Sequence, residues 1–150
     1  MSQSSRRGAS STGALARLFL GAHRALFRAT GGRLGGSTFG IPTLLLTTTG
    51  RKTGQPRTWP LGYIADGDRL VVIGSIGGAP KHPAWYLNLR DNPRVTVEVG
   101  SDRRPMVAET ATGAERQRLW NEFVRRYPRY GDYQKKTSRE IPVVILRPGA

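Results

Sequence analysis

Gly50-Arg51-Lys52-Thr53-Gly54-Gln55-Pro56-Arg57 sets three cations and a hydroxyl in a Gly/Pro turn between two apolar, β-branched runs. Such a turn leaves backbone N–H groups free. Arg51, Lys52, Thr53 and Arg57 add side-chain donors to the same small volume, so a phosphate or carboxylate suits it. Each charge-assisted contact is worth about 1.5–3 kcal/mol when partly desolvated. A solvated hairpin carrying surface cations is the competing reading, and the turn alone weighs the two equally. No Gly-x-x-x-x-Gly-Lys-Ser/Thr is present and no helix is expected to follow, which excludes a Walker loop. Gly50 and Gly54 also lack the spacing of a dinucleotide fingerprint.

Two further groups of residues could do chemistry. In Lys81-His82-Pro83-Ala84-Trp85-Tyr86-Leu87-Asn88, a helix starting near Pro83 points free N–H groups at an anion. Trp85 and Asn88, three apart, share one face of it, an apolar plane beside an amide. Tyr86 and Leu87 read as packing residues, and His82 as a helix-start residue and not a catalyst. In Tyr127-Pro128-Arg129-Tyr130-Gly131-Asp132-Tyr133, phenols recur every three residues. They could wall an aromatic ligand and supply a proton, or stack single-stranded nucleic acid beside Arg125, Arg126 and Arg129. Ordinary packing is the alternative, most of all for Tyr127.

Several chemistries are excluded. The 150 residues contain no cysteine, which removes disulfides, thiolate metal sites and cysteine nucleophiles. His23 and His82 are too few and too far apart for a metal site, and neither has a serine partner for a hydrolytic triad. No carboxylate pair stands out among ten acids. A protein whose bound cofactor carries the chemistry needs few titratable groups of its own.

The elements that must position these residues follow from periodicity. Residues 1–12 form a basic, disordered tail. Residues 13–30 form an amphipathic helix, with Leu15, Leu18, Phe19, Ala22 and Leu26 opposite Arg17, Arg24 and Arg28. This helix packs on the domain or, in the sharper reading, lies on an anionic membrane. Arg6-Arg7 is followed by no clean apolar stretch, so an export signal is rejected. Strands are expected over Thr43–Thr49, Arg57–Ala65, Arg69–Ser75, Arg94–Val99, Arg104–Thr110 and Ile141–Leu146, and further helices over His82–Arg90 and Gly113–Tyr127. Asp66-Gly67-Asp68 is a hairpin turn. Short connections make the sheet mainly antiparallel, an α+β barrel and not a doubly wound fold. One domain, residues 39–148, holds the barrel.

The net charge is +14, and residues 1–65 carry nine Lys/Arg and no acid. Nucleic acid, an anionic membrane and a polyanionic cofactor all suit that balance.

The residues themselves resemble a known family. Leu46-Thr47-Thr48-Thr49-Gly50-Arg51-Lys52-Thr53-Gly54-Gln55-Pro56-Arg57 is similar to the signature of the deazaflavin-dependent nitroreductases, actinobacterial quinone and nitro-compound reductases that use coenzyme F-420. His82-Pro83-Ala84-Trp85-Tyr86-Leu87-Asn88-Leu89 with Asn92-Pro93 resembles their second motif, and Tyr127-Pro128-x-Tyr130-x-x-Tyr133-Gln134 their third. The resemblance runs from about Phe39 to Leu146. It implies a split β-barrel of the flavin-reductase type. It implies that Gly50, Arg51, Lys52, Thr53 and Arg57 hold the coenzyme's phosphate and oligoglutamate tail. It implies that Pro60, Ile73, Gly74, Ser75, Ile76, Ala84, Trp85 and Asn88 lie along the deazaflavin ring. Tyr130 would touch ring and substrate, with Tyr133 and Ser75 beside it as catalytic residues. The implied reaction is hydride transfer from the reduced coenzyme to a quinone-like or nitroaromatic acceptor. The chain departs from the family at Gly62, where relatives often have an aromatic, and at Ile76, where some have lysine.

The expectation is therefore a cytoplasmic reductase using coenzyme F-420, with no nucleic-acid partner and with peripheral membrane contact through residues 13–30. The alternatives are a flavin mononucleotide enzyme on the same fold, or a basic module binding nucleic acid or lipid without catalysis. A single flavin phosphate would need fewer cations than the turn offers.

Overall fold

Leu70-Val71-Val72-Ile73 and Val143-Val144-Ile145-Leu146 are apolar at successive positions because both of their faces are covered. Val72, Val144 and Leu146 point into one core, and Val71, Ile73, Val143 and Ile145 into another. The computed structural model describes residues 37–38 and 41–149. Among these are β1 (Ser37–Thr38), β2 (Ile41–Thr49), β3 (Pro56–Gly62), β4 (Ile64–Asp66), β5 (Arg69–Ile73), β6 (Arg94–Val99), β7 (Asp102–Thr110) and β8 (Val143–Pro148). The helices are α1 (Ala84–Asp91), α2 (Gly113–Arg126) and α3 (Arg129–Lys135), with a 3-10 turn at Ile76–Gly78.

Every strand pairing is antiparallel, in the order β1-β2-β6-β7-β8-β5-β4, with β3 also on β2. Only Tyr63 separates β3 from β4. One half of this bent segment pairs with β2, from Thr43↔Gly62 to Thr49↔Pro56, and the other half with β5. The segment thus joins both ends of the strand order and closes the barrel, which leaves few open edges. Leu44, Leu46, Val95, Val97 and Met106 fill the interior, with Trp85, Tyr86 and Leu89 of α1 packed against them. Leu119 and Phe123 of α2 cover the outer face of β5 and β8.

The antiparallel barrel with flanking helices agrees with the sequence reading, but several boundaries move. The strand expected over Arg57–Ala65 breaks at Tyr63, whose N–H donates to the Pro42 carbonyl at 3.1 Å. The strand expected to reach Ser75 stops at Ile73, because the Gly74 N–H turns to the Pro142 carbonyl at 3.0 Å. The helix expected from His82 starts at Ala84. Pro83 caps it in extended conformation, and a residue preceding proline is disfavoured in a helix. Helix α3 was not anticipated: it has seven residues, contains Gly131 and only half-buries Tyr130 and Tyr133, so it lacks a fully buried stripe. The amphipathic helix read over 13–30 lies outside the described residues. No helix among the described residues is long and apolar enough to cross a membrane.

Candidate active site

The cationic turn is a hairpin loop between β2 and β3, and of its six N–H groups from Gly50 to Gln55 three are spent on its own shape and that of Arg51 on Asn88. Gly50 N–H donates to the Gln55 carbonyl and Gly54 N–H to the Gly50 carbonyl, both at 2.8 Å. Gln55 N–H donates to Thr53 Oγ1 at 3.2 Å. Gly54 sits at φ +73, a conformation open to glycine. Only the N–H groups of Lys52 and Thr53 have no partner among the described residues. The expectation of a turn lined with free N–H groups is thus narrowed to two of them. Thr53 Oγ1 also accepts from Arg57 Nη2 at 3.4 Å, which leaves the hydroxyl proton to donate outward.

Asn88 ties this loop to α1. Its Oδ1 accepts from both the backbone N–H and Nη1 of Arg51, each at 3.1 Å, and its Nδ2 donates to Thr48 Oγ1 at 3.1 Å. The residue is 3% exposed. Arg51 is therefore anchored at its backbone and its tip, while Lys52 and Arg57 project from the loop. Among the described residues no carboxylate lies within ion-pair distance of these three cations. They line a cleft of about 210 Å³ with Gly50, Thr53, Trp59, Ala84 and Asn88. Ala84 opens α1, whose first intrahelical-type bond runs from Tyr86 N–H to the Pro83 carbonyl at 3.1 Å. The N–H groups of Ala84 and Trp85 precede that bond, and the helix dipole adds positive potential there.

A second cleft of about 330 Å³ begins one residue along on both walls, at Pro60 after Trp59 and at Trp85 after Ala84. Ile41, Leu61, Gly62, Ile73, Ser75, Ile76, Gly77, Arg129, Tyr130 and Tyr133 complete it. The two clefts thus draw on neighbouring residues of β3 and α1, one lined by cations and the other apolar and phenolic. A Cβ at Gly62 would lie 2.8 Å from Ile41 Cγ2 and 3.3 Å from the Tyr130 hydroxyl, so the absent side chain leaves room for that hydroxyl. The Tyr130 ring meets Phe123 edge-on at 4.7 Å and Tyr133 at 5.2 Å. Its hydroxyl has no hydrogen-bond partner among the described residues. Burial, then the neighbouring Tyr133, push its pKa above the ordinary phenol value, and at neutral pH it is protonated.

Ser75 is buried, and its hydroxyl makes no hydrogen bond to a described residue. Ile76 is 51% exposed at φ +44, a strained conformation for a β-branched residue. Trp85 belongs chiefly to the barrel core and shows an edge to the cleft. His82 lies outside both clefts; burial first, then Arg139 and Arg90, lower its pKa. Tyr86 packs inside, its hydroxyl 2.9 Å from Thr110 Oγ1, and Tyr127 packs edge-on against Phe123.

The structure brings Gly50, Arg51, Lys52, Thr53, Arg57, Ala84 and Asn88 together in one cleft, and Pro60, Ile73, Ser75, Ile76, Trp85, Tyr130 and Tyr133 in the other. Gly74 lines neither cleft. Its N–H is held by Pro142, and a Cβ there would lie 2.8 Å from the Pro142 ring. Ile41, Trp59, Leu61, Gly77 and Arg129 were not anticipated at the site. Trp59 stands two residues after Arg57 in a strand and so shares its face, a signal the sequence carried.

Three cations without acidic partners, one helix N-terminus and an apolar slot suit a long ligand with an anionic tail and a flat head. A family model for the F420H(2)-dependent quinone reductases matches residues 20–148. An F420H(2)-dependent quinone reductase of Mycobacterium tuberculosis is 45% identical over 130 residues, covering 83% of this chain and 86% of the relative. The solved structure of an F420-H2 dependent reductase is 42% identical, with a TM-score of 0.66, covering 71% of this chain and 94% of that one. A candidate pyridoxamine 5'-phosphate oxidase of Listeria innocua, 18% identical with a TM-score of 0.52 over 72% of this chain and 84% of its own, shares the fold alone.

Proposed function

The chain belongs to the F420H(2)-dependent quinone reductase family, and from that membership we propose how its two clefts are used. The protein is an oxidoreductase with the split-barrel fold, and it transfers a hydride from reduced coenzyme F-420 to a quinone-like acceptor. The observation that carries the residue-level reading is the pair of neighbouring clefts, with unpaired cations in one and a protonated phenol in the other.

The donor set fits the coenzyme. Lys52 and Arg57, with the N–H groups of Lys52 and Thr53 and the N-terminus of α1, take its phosphate and acidic tail. Arg51, held by Asn88, adds a cation of defined position. A flavin phosphate alone would leave part of this charge unmatched. The apolar walls at Pro60, Leu61, Ile73, Ile76 and the Trp85 edge bound the slot for the flat ring and keep water away from it.

The bound coenzyme supplies the hydride, and this chain supplies the proton and the alignment. A quinone becomes a hydroquinone by taking one hydride and one proton. Tyr130, protonated at neutral pH as any phenol is, donates to the acceptor oxygen that gains electron density. The Ser75 hydroxyl orients the acceptor, and Tyr133 braces Tyr130 edge-on. Gly62 and Ile76 place no charge in this cleft, where Arg129 is the one charged lining residue, so pocket shape bears on the choice of acceptor. Nitroaromatic compounds are flat and electron-poor and suit the same slot. The amphipathic stretch over residues 13–30 suits peripheral contact with an anionic membrane, which places the enzyme beside lipid-soluble quinones; unchanged liposome association after deleting residues 1–30 would remove that idea.

Titration of the protein with coenzyme F-420 and with flavin mononucleotide, followed by fluorescence, tests the reading. Micromolar binding of the deazaflavin, weakened at least about tenfold by Lys52→Ala with Arg57→Ala, is the expected result. Tight binding of flavin mononucleotide alone would sink it. Turnover with menadione and with a nitroaromatic in the same assay decides the acceptor range.

A further inference from the structure

Behind the phenolic cleft, residues 74–79 form a strap that makes its wall. Ser75, Ile76 and Gly77 line the cleft, and their N–H groups have no partner among the described residues. The strap's own bonds are few: Gly78 N–H to the Ser75 carbonyl at 2.9 Å, and Ala79 N–H to the Ile76 carbonyl at 3.1 Å. Ile76, Gly77 and Gly78 follow one another at φ +44, +60 and +89, a path that side-chain-bearing residues do not adopt unaided. A Cβ on Gly78 would lie 2.6 Å from the Tyr133 carbonyl, so the strap also presses on the helix that carries the phenols.

One side chain holds this shape from behind. Arg139 Nε donates to the Ala79 carbonyl at 2.8 Å, Nη2 to the Ser75 carbonyl at 2.8 Å and Nη1 to the Gly74 carbonyl at 3.1 Å. The same Nη1 lies 3.0 Å from His82 Nδ1. A guanidinium only donates, so His82 accepts at Nδ1 and carries its proton on Nε2. Among the described residues no carboxylate pairs with Arg139. Its partners are three carbonyls and one neutral imidazole, an arrangement suited to shaping backbone and not to balancing charge. Drawing on the Gly74 and Ser75 carbonyls also polarises the peptide units that follow them, so the N–H groups of Ser75 and Ile76 become stronger donors toward the cleft.

We propose that Arg139 is a positioning residue for the reaction: from outside the cleft it fixes the strap so that the Ser75 hydroxyl and the N–H groups of Ser75, Ile76 and Gly77 face the ring and acceptor. Arg139 touches neither ligand itself. Its action on turnover rests on the coenzyme F-420 reading given above, whereas its hold on the strap does not.

Arg139→Lys tests this, because a single ammonium cannot reproduce a planar fork serving four acceptors. The first measurement is amide hydrogen exchange of the coenzyme-free protein. Exchange of the Gly78 and Ala79 amides, the strap's bonded ones, rises at least about fivefold in the variant, while β5 and β8 stay within about twofold of wild type. The second is steady-state turnover of reduced coenzyme F-420 with menadione. The kcat falls at least about tenfold, while coenzyme affinity, set at the cationic cleft, changes less than about threefold. Arg139→Ala behaves alike, and millimolar guanidinium restores about fivefold or more of its kcat, which a merely misfolded protein would not show. Unchanged exchange over the strap, or an unchanged kcat in Arg139→Lys, overturns the proposal. A wild-type protein that does not oxidise the reduced coenzyme overturns the reading of the cleft and with it the catalytic half of this inference; the exchange comparison then still decides whether Arg139 holds the strap.

Discussion

Asn88 was expected beside the coenzyme ring, yet its amide is spent on Arg51 and Thr48. Replacing it with alanine removes three hydrogen bonds from a site that is 3% exposed. The two neutral bonds are worth about 1 kcal/mol each, and the guanidinium bond, partly open to solvent, about 1 kcal/mol more. The expected loss of about 3 kcal/mol corresponds to a fall in Tm of about 6–12 °C for a chain of this size. Asn88→Asp separates stability from binding. A carboxylate accepts from Arg51 as before, and the Thr48 hydroxyl can reverse and donate to it, so its Tm stays within about 4 °C of wild type. The added negative charge, however, faces the same anion as Arg51. Coenzyme affinity therefore falls at least about tenfold in Asn88→Asp, about 1.4 kcal/mol, and by less in Asn88→Ala. Differential scanning calorimetry and fluorescence titration give both quantities. A Tm change below about 2 °C in the alanine variant, or wild-type coenzyme affinity in the aspartate variant, would refute the assignment of Asn88 as the clamp on Arg51.

Two further outcomes follow from the titratable groups. Tyr130→Phe keeps the edge contacts with Phe123 and Tyr133 but removes the proton; kcat with menadione falls about 10²-fold while coenzyme affinity holds, and an unchanged kcat would take Tyr130 out of the mechanism. His82, facing Arg139, Arg90 and the Tyr86 ring, has a folded pKa below its ordinary 6.5. The native protein then binds fewer protons than the unfolded chain below that pH. Its contribution to stability is whole above about 6.5 and declines as pH falls toward the folded pKa. Wild-type Tm therefore drops between pH 7 and pH 5 more steeply than that of His82→Gln, and equal slopes would contradict the neutral, Arg139-bound imidazole.

The sequence was readable where one local rule governs. Residues 94–99 alternate and form β6 within the expected limits, and 113–126 carry a helical stripe that becomes α2 with Leu119 and Phe123 buried. The hairpin at Gly67-Asp68 follows from turn chemistry, with Asp66 paired to Arg69 across it. The break at Tyr63 was not readable. It arises because one segment must leave β2 and join β5 to close the barrel, a demand set by strands far away in sequence. Helix α3 escaped notice because it is short and packs on the core only through the half-buried Tyr130 and Tyr133. Arg139 gave no signal, since an isolated arginine in a polar stretch looks like any surface cation until the strap folds onto it.

By itself the sequence determined which chemistry was available: cations in a turn without neighbouring acids, spaced phenols, and no thiol or triad. Residue types and short spacings are local properties, and the resemblance carried by three motifs named the coenzyme. Tertiary structure alone decided which donors remain for a ligand. The hairpin loop consumes three of its own six N–H groups, Asn88 gives up its amide to Arg51, and Gly74 serves Pro142 and Arg139 instead of the cleft. The physical reason is that a buried donor or acceptor must be satisfied by whatever the fold brings near it, and only what is left unsatisfied at a surface can meet a substrate.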